Sequence, residues 1–413
     1  MSRVILHSDL NNFYASVECL YNPELRELPV AVGGDVEQRH GIVLAKNYIA
    51  KKFGVQTGEA LWQAREKCPK IVFVQPHFDL YMHYSEMARK IYSDYSDQIE
   101  PFGIDEAWID VTGSQKIFGN GKTIADEIRE RIKFEMGVTA SVGVSFNKIF
   151  AKLGSDMKKP DATTVITPED FKQKIWPLPV SDLLYVGHST TKKLMNYSIQ
   201  TIGDLARRKC TDLQYWLGKN GVMLWRFANG LDTSPVSNIG AKSLIKSVGN
   251  STTTPRDLVC ESDIKITLYS LSESVAARLR EYEFLCRTVQ ITIRDNKLES
   301  FERQVKLSEP ACVSSVIADA AHALFRKNVH GPYAIRSLGV RACDLVLDHN
   351  RQLSMLPEIE KIQKKENIEV AVDSIRKRFG HFSIQRGIML ADKNLSDLNP
   401  KDDNIIHPVS FLK

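Results

Sequence analysis

The run Phe-Gly-Ile-Asp-Glu-Ala-Trp-Ile-Asp-Val at 102–111 constrains this chain more than any other stretch. Trp108 to Val111 has strand character, so the doublet Asp105-Glu106 stands at the head of a strand. Neighbouring residues of a regular strand point to opposite faces, so the two carboxylates share a site only at a bend, which Gly103 supplies. A third carboxylate, Asp9, ends the apolar run Val4-Ile5-Leu6-His7-Ser8-Asp9. Three carboxylates delivered by strand ends suit hard cations such as Mg²⁺, which take oxygen ligands and are shared with substrate phosphates. If the three converge, they can hold two cations about 3.5–4 Å apart, an arrangement for phosphoryl transfer. On spacing alone, ordinary turn and strand-end carboxylates stand as the alternative.

At 413 residues the chain has room for about three domains. Its 43% hydrophobic and 25% charged residues are those of a soluble globular protein. No apolar run approaches a membrane span, and the N-terminal one is too short for a signal peptide. Seven scattered cysteines without a Cys-x-x-Cys pair argue against a zinc site or disulfide framework and fit the reducing cytoplasm. A net charge of +5 permits nucleic-acid binding without requiring it.

Residues 3–9 read as a buried strand, and Asn11 or Asn12 as the cap of a helix with Tyr14, Val17, Leu20 and Tyr21 on its apolar face. Strands follow at 29–32 and 41–44, and helices at 47–53, 78–99 and 122–136. A strand at 139–144 precedes a helix at 147–158. The mixture lacks a regular βαβ repeat and predicts an α+β sheet with helices on one face. Short helices dominate from about 170 to 235, with Gly218-Lys219-Asn220-Gly221 as a turn able to offer backbone N–H groups to a phosphate. Residues 233–247 read as a polar linker. Strands at 288–293, 301–307 and 335–341, with helices at 264–281 and 314–325, predict a four-stranded sheet with two helices. One further helix is expected at 368–379.

Ser8-Asp9-Leu10-Asn11-Asn12-Phe13-Tyr14-Ala15-Ser16-Val17-Glu18, with Gly103-Ile104-Asp105-Glu106-Ala107, resembles the Y-family, or translesion, DNA polymerases of the DinB/UmuC type. Asn47-Tyr48-Ile49-Ala50-Lys51-Lys52-Phe53-Gly54 and Ser145-Phe146-Asn147-Lys148 with Ala151-Lys152 extend the resemblance, which runs in order to about residue 345. It implies a multidomain α+β right hand: palm 1–18 and 79–168, fingers 19–78, a helix-hairpin-helix thumb 169–235, linker 236–247, little finger 248–346 and a tail 347–413. It implies Asp9, Asp105 and Glu106, with the Leu10 carbonyl, as ligands of two Mg²⁺ ions, Glu106 lying nearest the primer hydroxyl.

By the same resemblance Phe13 and Tyr14 lie beneath the incoming sugar, Tyr14 as the steric gate that rejects a ribose hydroxyl. Tyr48, Lys51 and Lys159 match the triphosphate-binding positions. Lys51 departs from the frequent Arg and loses its bidentate fork. Ala45 replaces a frequent hydroxyl residue, and Ile42 and Leu44 would roof the nascent base pair. In the thumb Gly187, Gly218 and Gly221 match duplex-gripping hairpins, although Ser189 breaks the first Gly-x-Gly. Lys246, Arg303, Lys306, Arg336 and Arg341 would track template phosphates. Gln352, Leu353, Met355 and Leu356 resemble the peptide by which bacterial polymerases bind the sliding clamp.

The implied activity is template-directed, low-fidelity addition of dNTPs to a primer, past damage, by a cytoplasmic monomer bound to primer-template DNA and clamp. No segment of the first 345 residues is left over for a proofreading exonuclease. The alternative is a UmuC-like DNA- and clamp-binding subunit that depends on a partner for activity. The motifs leave the subgroup open.

Overall fold

The central strand β1 (Ile5–Leu10) is buried along its whole length. It lies between β6 (Glu106–Asp110) and β7 (Ala140–Ser145), antiparallel to both. β5 (Ile99–Pro101) and β8 (Thr163–Val165) complete a five-stranded sheet of order β5-β6-β1-β7-β8. The computed structural model describes residues 3–34, 41–241, 244–348 and 357–399, and side chains of the last stretch from 363. The described chain forms two compact units, 3–33 with 42–241, and 244–348 with 357–399.

Helices cover both faces of this sheet rather than one. Leu6, Leu10 and Ile109 face the helices Phe78–Ser93 and Gly121–Arg131. Ile5 and Trp108 face the helix Lys148–Met157, with Ala151 in their cluster. That helix sits directly on the sheet: a Cβ on Gly143 would lie 1.9 Å from the Ala151 carbonyl, so only glycine permits the approach. The helix expected to run to 99 stops at Ser93, because Ile99 is claimed by β5.

A smaller sheet of order β3-β2-β4 joins β2 (Val30–Gly33), β3 (Val43–Lys46) and β4 (Val72–Val74). Asn47 caps the helix Tyr48–Lys52 by accepting the Ala50 amide at 2.9 Å, and also donates to the Leu28 carbonyl at 2.7 Å. Asn11 and Asn12 do not act as side-chain caps. Asn12 sits at the cap position with φ 48, and Asn11 turns inward to Ser141 and the Asp161 amide. Short helices from Phe171 to Ala228 enclose a core of Leu194, Leu205, Leu213 and Leu224. The chain beyond them is not a free strap: Val236 is buried, Ser237 donates to Glu100, and the Ile239 amide donates to the Asp97 carbonyl at 2.9 Å.

The second unit is a sheet of order β11-β10-β12-β9, with β9 (Ser247–Leu258), β10 (Phe284–Asp295), β11 (Ser300–Ala311) and β12 (Ile335–Leu347). Helices Glu261–Glu281 and Ser314–Asn328 share its core. The helix Pro357–Phe379 is longer than expected, and Met389 and Leu395 beyond it join the same core. Among the described residues no helix is long and apolar enough to cross a membrane.

Candidate active site

Asp9 and Glu106 are register partners across β1 and β6, as are His7 and Trp108. Cross-strand partners share a face, so both carboxylates project on the side of the helix Lys148–Met157. Asp105 stands at the bend before β6, where Gly103 adopts φ 87, and its carbonyl accepts the Leu10 amide at 3.0 Å. The bend, not the strand, brings Asp105 within electrostatic reach of the other two.

The cluster carries more acid than base. Burial, then Glu106 and Asp9, push the Asp105 carboxyl up to about 7. Burial and Glu106 also raise Asp9, against the pull of Lys159 and Lys152. Lys152 pairs with Glu106 at 2.6 Å and Asp9 at 3.5 Å. Lys159 pairs with Asp9 at 2.7 Å and Asp156 at 2.9 Å. Burial works against charge on Lys159, yet Asp9 and Asp156 outweigh it and hold the ammonium above its ordinary range. Among the described residues no cation stands within ion-pair distance of Asp105. His7 is fully buried, its Nε2 3.2 Å from Glu106 and its Nδ1 2.8 Å from Ser155 Oγ. Burial first, then Lys152, keeps it neutral.

Among the described residues no three acidic or histidine side chains stand as a ready coordination shell. Lys152 instead takes a cation's place between Asp9 and Glu106. The donor set still fits hard divalent ions: it is all oxygen, held within one another's electrostatic reach, and more negative than its lysines neutralise. His7, Lys152 and Asp156 carried no assigned role in the sequence. The charges at 148, 152 and 156 recur at i, i+4 on one helix face, which is the available signal.

Around this cluster, Phe13 is buried and Tyr14 half-buried on the helix Phe13–Tyr21. Burial, with the charge of Asp105, pushes the Tyr14 phenol up to about 12. Burial raises Tyr48, whose phenol also lies in the fields of Lys159 and Asp9. Lys51 lies 5.7 Å from the Tyr48 ring centroid. Lys46, another residue without an assigned role, is lowered by burial and by Lys51, so the two ammonium groups are neighbours.

Gly187 is the exposed N-cap of the helix His188–Asn196, with open space around it. Gly218 takes φ 62, whereas Gly221 lies inside the helix Lys219–Ala228 with its amide bonded to the Gly218 carbonyl. A Cβ on Gly221 would lie 2.0 Å from the Leu213 carbonyl. Its missing side chain therefore serves helix packing, and its N–H is already used. In the second unit Lys246 is exposed ahead of β9, and Arg336 and Arg341 lie on β12. Lys306 and Arg341 share one sheet face and Arg303 lies on the other. Gln352, Leu353, Met355 and Leu356 lie outside the described residues.

The sequence matches the impB/mucB/samB family over residues 8–156 and that family's C-terminal domain over 245–355. Residues 181–232 match the DNA polymerase-iota thumb domain. DNA polymerase IV of Acetivibrio thermocellus is 56% identical over 96% of this chain and 100% of its own length. DNA polymerase IV of Clostridium acetobutylicum is 37% identical over 94% and 99%. DNA polymerase IV 2 of Bacillus subtilis is 38% identical over 94% and 95%. The fold matches a solved Y-family DNA polymerase chimera, Dbh-Dpo4(243-245)-Dbh, with a TM-score of 0.72 and 24% identity, covering 83% of this chain and 99% of that one. With sequence relatives along nearly its whole length and the same fold, the chain belongs to the impB/mucB/samB family, the Y-family of DNA polymerases.

Proposed function

We propose that this chain is a template-directed DNA polymerase that adds deoxynucleotides to a primer 3′ end, with low fidelity, during synthesis past damaged template. The observation that supports the reading is the register pairing of Asp9 with Glu106 at one end of a sheet, with Asp105 in the electrostatic field of both and short of a cation. The name shared by its relatives, DNA polymerase IV, supports primer-template DNA and dNTPs as substrates.

Asp9, Asp105 and Glu106, with the Leu10 carbonyl, would hold two Mg²⁺ ions. Bound there, the ions would make the primer hydroxyl a better nucleophile and neutralise charge on the triphosphate. Lys159 and Tyr48, flanked by Lys51, offer donors to a polyphosphate next to Asp9. Phe13 and Tyr14 would support the sugar, Tyr14 rejecting a 2′-hydroxyl by clash. Lys152 holds the Glu106 carboxylate on the face where it is needed. Gly187 and Gly218 would grip duplex backbone, and the basic residues of the second unit would hold template phosphates. The peptide Gln352–Leu356 would attach the enzyme to a sliding clamp in the cytoplasm.

Primer extension by the purified protein with Mg²⁺ and dNTPs tests the reading. Wild type should elongate the primer, and Asp105→Asn should not. Wild-type protein that binds primer-template DNA but leaves the primer unextended would reject it in favour of a partner-dependent subunit.

A further inference from the structure

Tyr14 does not stand alone. Its ring stacks face to face on Tyr81, with centroids 4.3 Å apart and planes 10° from parallel. Tyr81 lies on the helix Phe78–Ser93, wholly buried, with Phe13 and Phe78 also against its ring. Its hydroxyl donates to Glu18 Oε1. Glu18 is one helical turn beyond Tyr14 and only 1% exposed. The same carboxylate accepts from His77 Nδ1 at 3.0 and 3.1 Å. A loop therefore closes on itself: the helix carries Tyr14 and Glu18, Glu18 holds Tyr81, and Tyr81 backs the ring of Tyr14.

The energetics make the loop stiff. A buried carboxylate is costly unless hydrogen-bonded, so Glu18 requires both of its donors. Burial, then the Glu18 hydrogen bond, raises the Tyr81 phenol far above its ordinary range, so its hydroxyl stays protonated and donates. Tyr81 thereby has its ring plane fixed at the hydroxyl end, and a stacked neighbour inherits that plane.

We propose that Tyr81, held by Glu18 and His77, is the positioning residue for the Tyr14 ring and sets how strictly the enzyme distinguishes deoxyribose from ribose. The proposal rests on the reading of Tyr14 as the steric gate. Discrimination by clash depends on placing one ring edge to a fraction of an ångström, and a ring free to swing into space behind it would admit the extra hydroxyl.

The test is single-nucleotide insertion, comparing kcat/KM for a dNTP with that for the matching rNTP. The ratio cancels any change in the fraction of folded enzyme. Tyr81→Leu should lower the ratio about tenfold, chiefly through improved rNTP use. Tyr81→Phe keeps the ring's packing but releases Glu18, and should lower it about threefold; this variant keeps the test open if Tyr81→Leu folds poorly. In a Tyr14→Ala background either change should add less than about twofold. Ratios within twofold of wild type for both Tyr81 variants, while Tyr14→Ala collapses discrimination, would overturn the brace and leave the gate standing. An unchanged ratio in Tyr14→Ala would remove the gate and the brace with it.

Discussion

Each unit of this molecule clusters buried charge, and the two clusters are built on opposite terms. In the second unit Arg280 pairs with Glu369 and with Asp373 at 2.7 Å. Arg386 pairs with Glu273 at 2.7 Å and Glu369 at 3.1 Å, and Arg376 with Glu273 at 2.8 Å. Three arginines alternate with three acids, and Glu369 also accepts the Ser314 amide at the start of a helix. In the first unit, Asp9, Asp105, Glu106 and Asp156 face two lysines, and Asp105 is pushed up to about 7. Alternating, hydrogen-bonded charge holds the Pro357–Phe379 helix to the sheet domain. Crowded like charge stores a demand for a cation, which is the demand the proposed reaction satisfies.

Removing one acid from each cluster should have opposite effects on activity and stability. Asp105→Asn should cut primer extension about a thousandfold, the scale of several kcal/mol of lost metal electrostatics. In metal-free protein at pH 8 the same substitution should raise the melting temperature, because it deletes a repelled charge. A variant that loses activity and stability together would show that Asp105 is structurally satisfied rather than repelled. Glu369→Ala should do the reverse. It strips Arg280 and Arg386 of a shared partner and leaves the Ser314 amide unsatisfied, so it should cost roughly 3–5 kcal/mol in chemical denaturation of the full chain. A loss below about 1 kcal/mol would place the network among weak surface pairs.

Proton linkage gives Asp105 and a paired carboxyl of the second unit, Asp263, opposite signs. An unfolded Asp ionises near pH 4, whereas Asp105 holds its proton until about 7. The native state binds the extra proton across that interval, so its stability falls as pH rises from about 4 to 7, by about 2–4 kcal/mol in total. Asp105→Asn should flatten that slope, and saturating Mg²⁺ should reverse it. Asp263 of the second unit behaves oppositely: the Arg256 hydrogen bonds hold its carboxyl down to about 2. Its contribution is present above about pH 4 and is lost as pH falls towards 2. Thermal melts from pH 2 to 8, with chelator and with Mg²⁺, check both slopes. Slopes of one sign throughout would remove the distinction.

Much of the site was legible in the sequence because its signals are local. An apolar run ending in Asp9 and a glycine bend before Asp105-Glu106 place the acids at strand ends without any knowledge of the fold. The α+β class was legible for the same reason. Sequence periodicity was silent where the answer depends on distant contacts. His7 reads as part of an apolar run and comes within 3.2 Å of Glu106 only when β6 pairs with β1. Gly221 reads as turn punctuation and serves close packing on Leu213. β9 is rich in Ser and Thr and contains Pro255, so it lacks the apolar alternation that revealed the other three strands. Tyr21 shares the spacing of the buried Val17 but is 54% exposed, because the helix turns Phe13, Val17 and Glu18 inward instead.

Register also divides residues that sequence groups together. Thr288 pairs with Lys306 and Gln290 with Arg341, on the sheet face away from the core residues Val289 and Ile291. Gly249 lies opposite Arg341, and a Cβ there would come within 2.9 Å of the arginine's own Cβ, so the glycine leaves room for it. Arg303 pairs with Ile291 on the helix side, packs on Phe301, and donates to Asn328 at 3.2 Å and to the Glu302 carbonyl at 2.8 Å. Its guanidinium is spent locally, whereas the Lys306 ammonium and the Arg341 guanidinium lie on the open face. If that face holds template, Lys306→Ala and Arg341→Ala should each reduce the slope of log binding constant against log salt by about 1, and Arg303→Ala should leave it unchanged. Equal loss from all three would mean that the two faces of the sheet do not differ in holding DNA, and that register does not select the contacts.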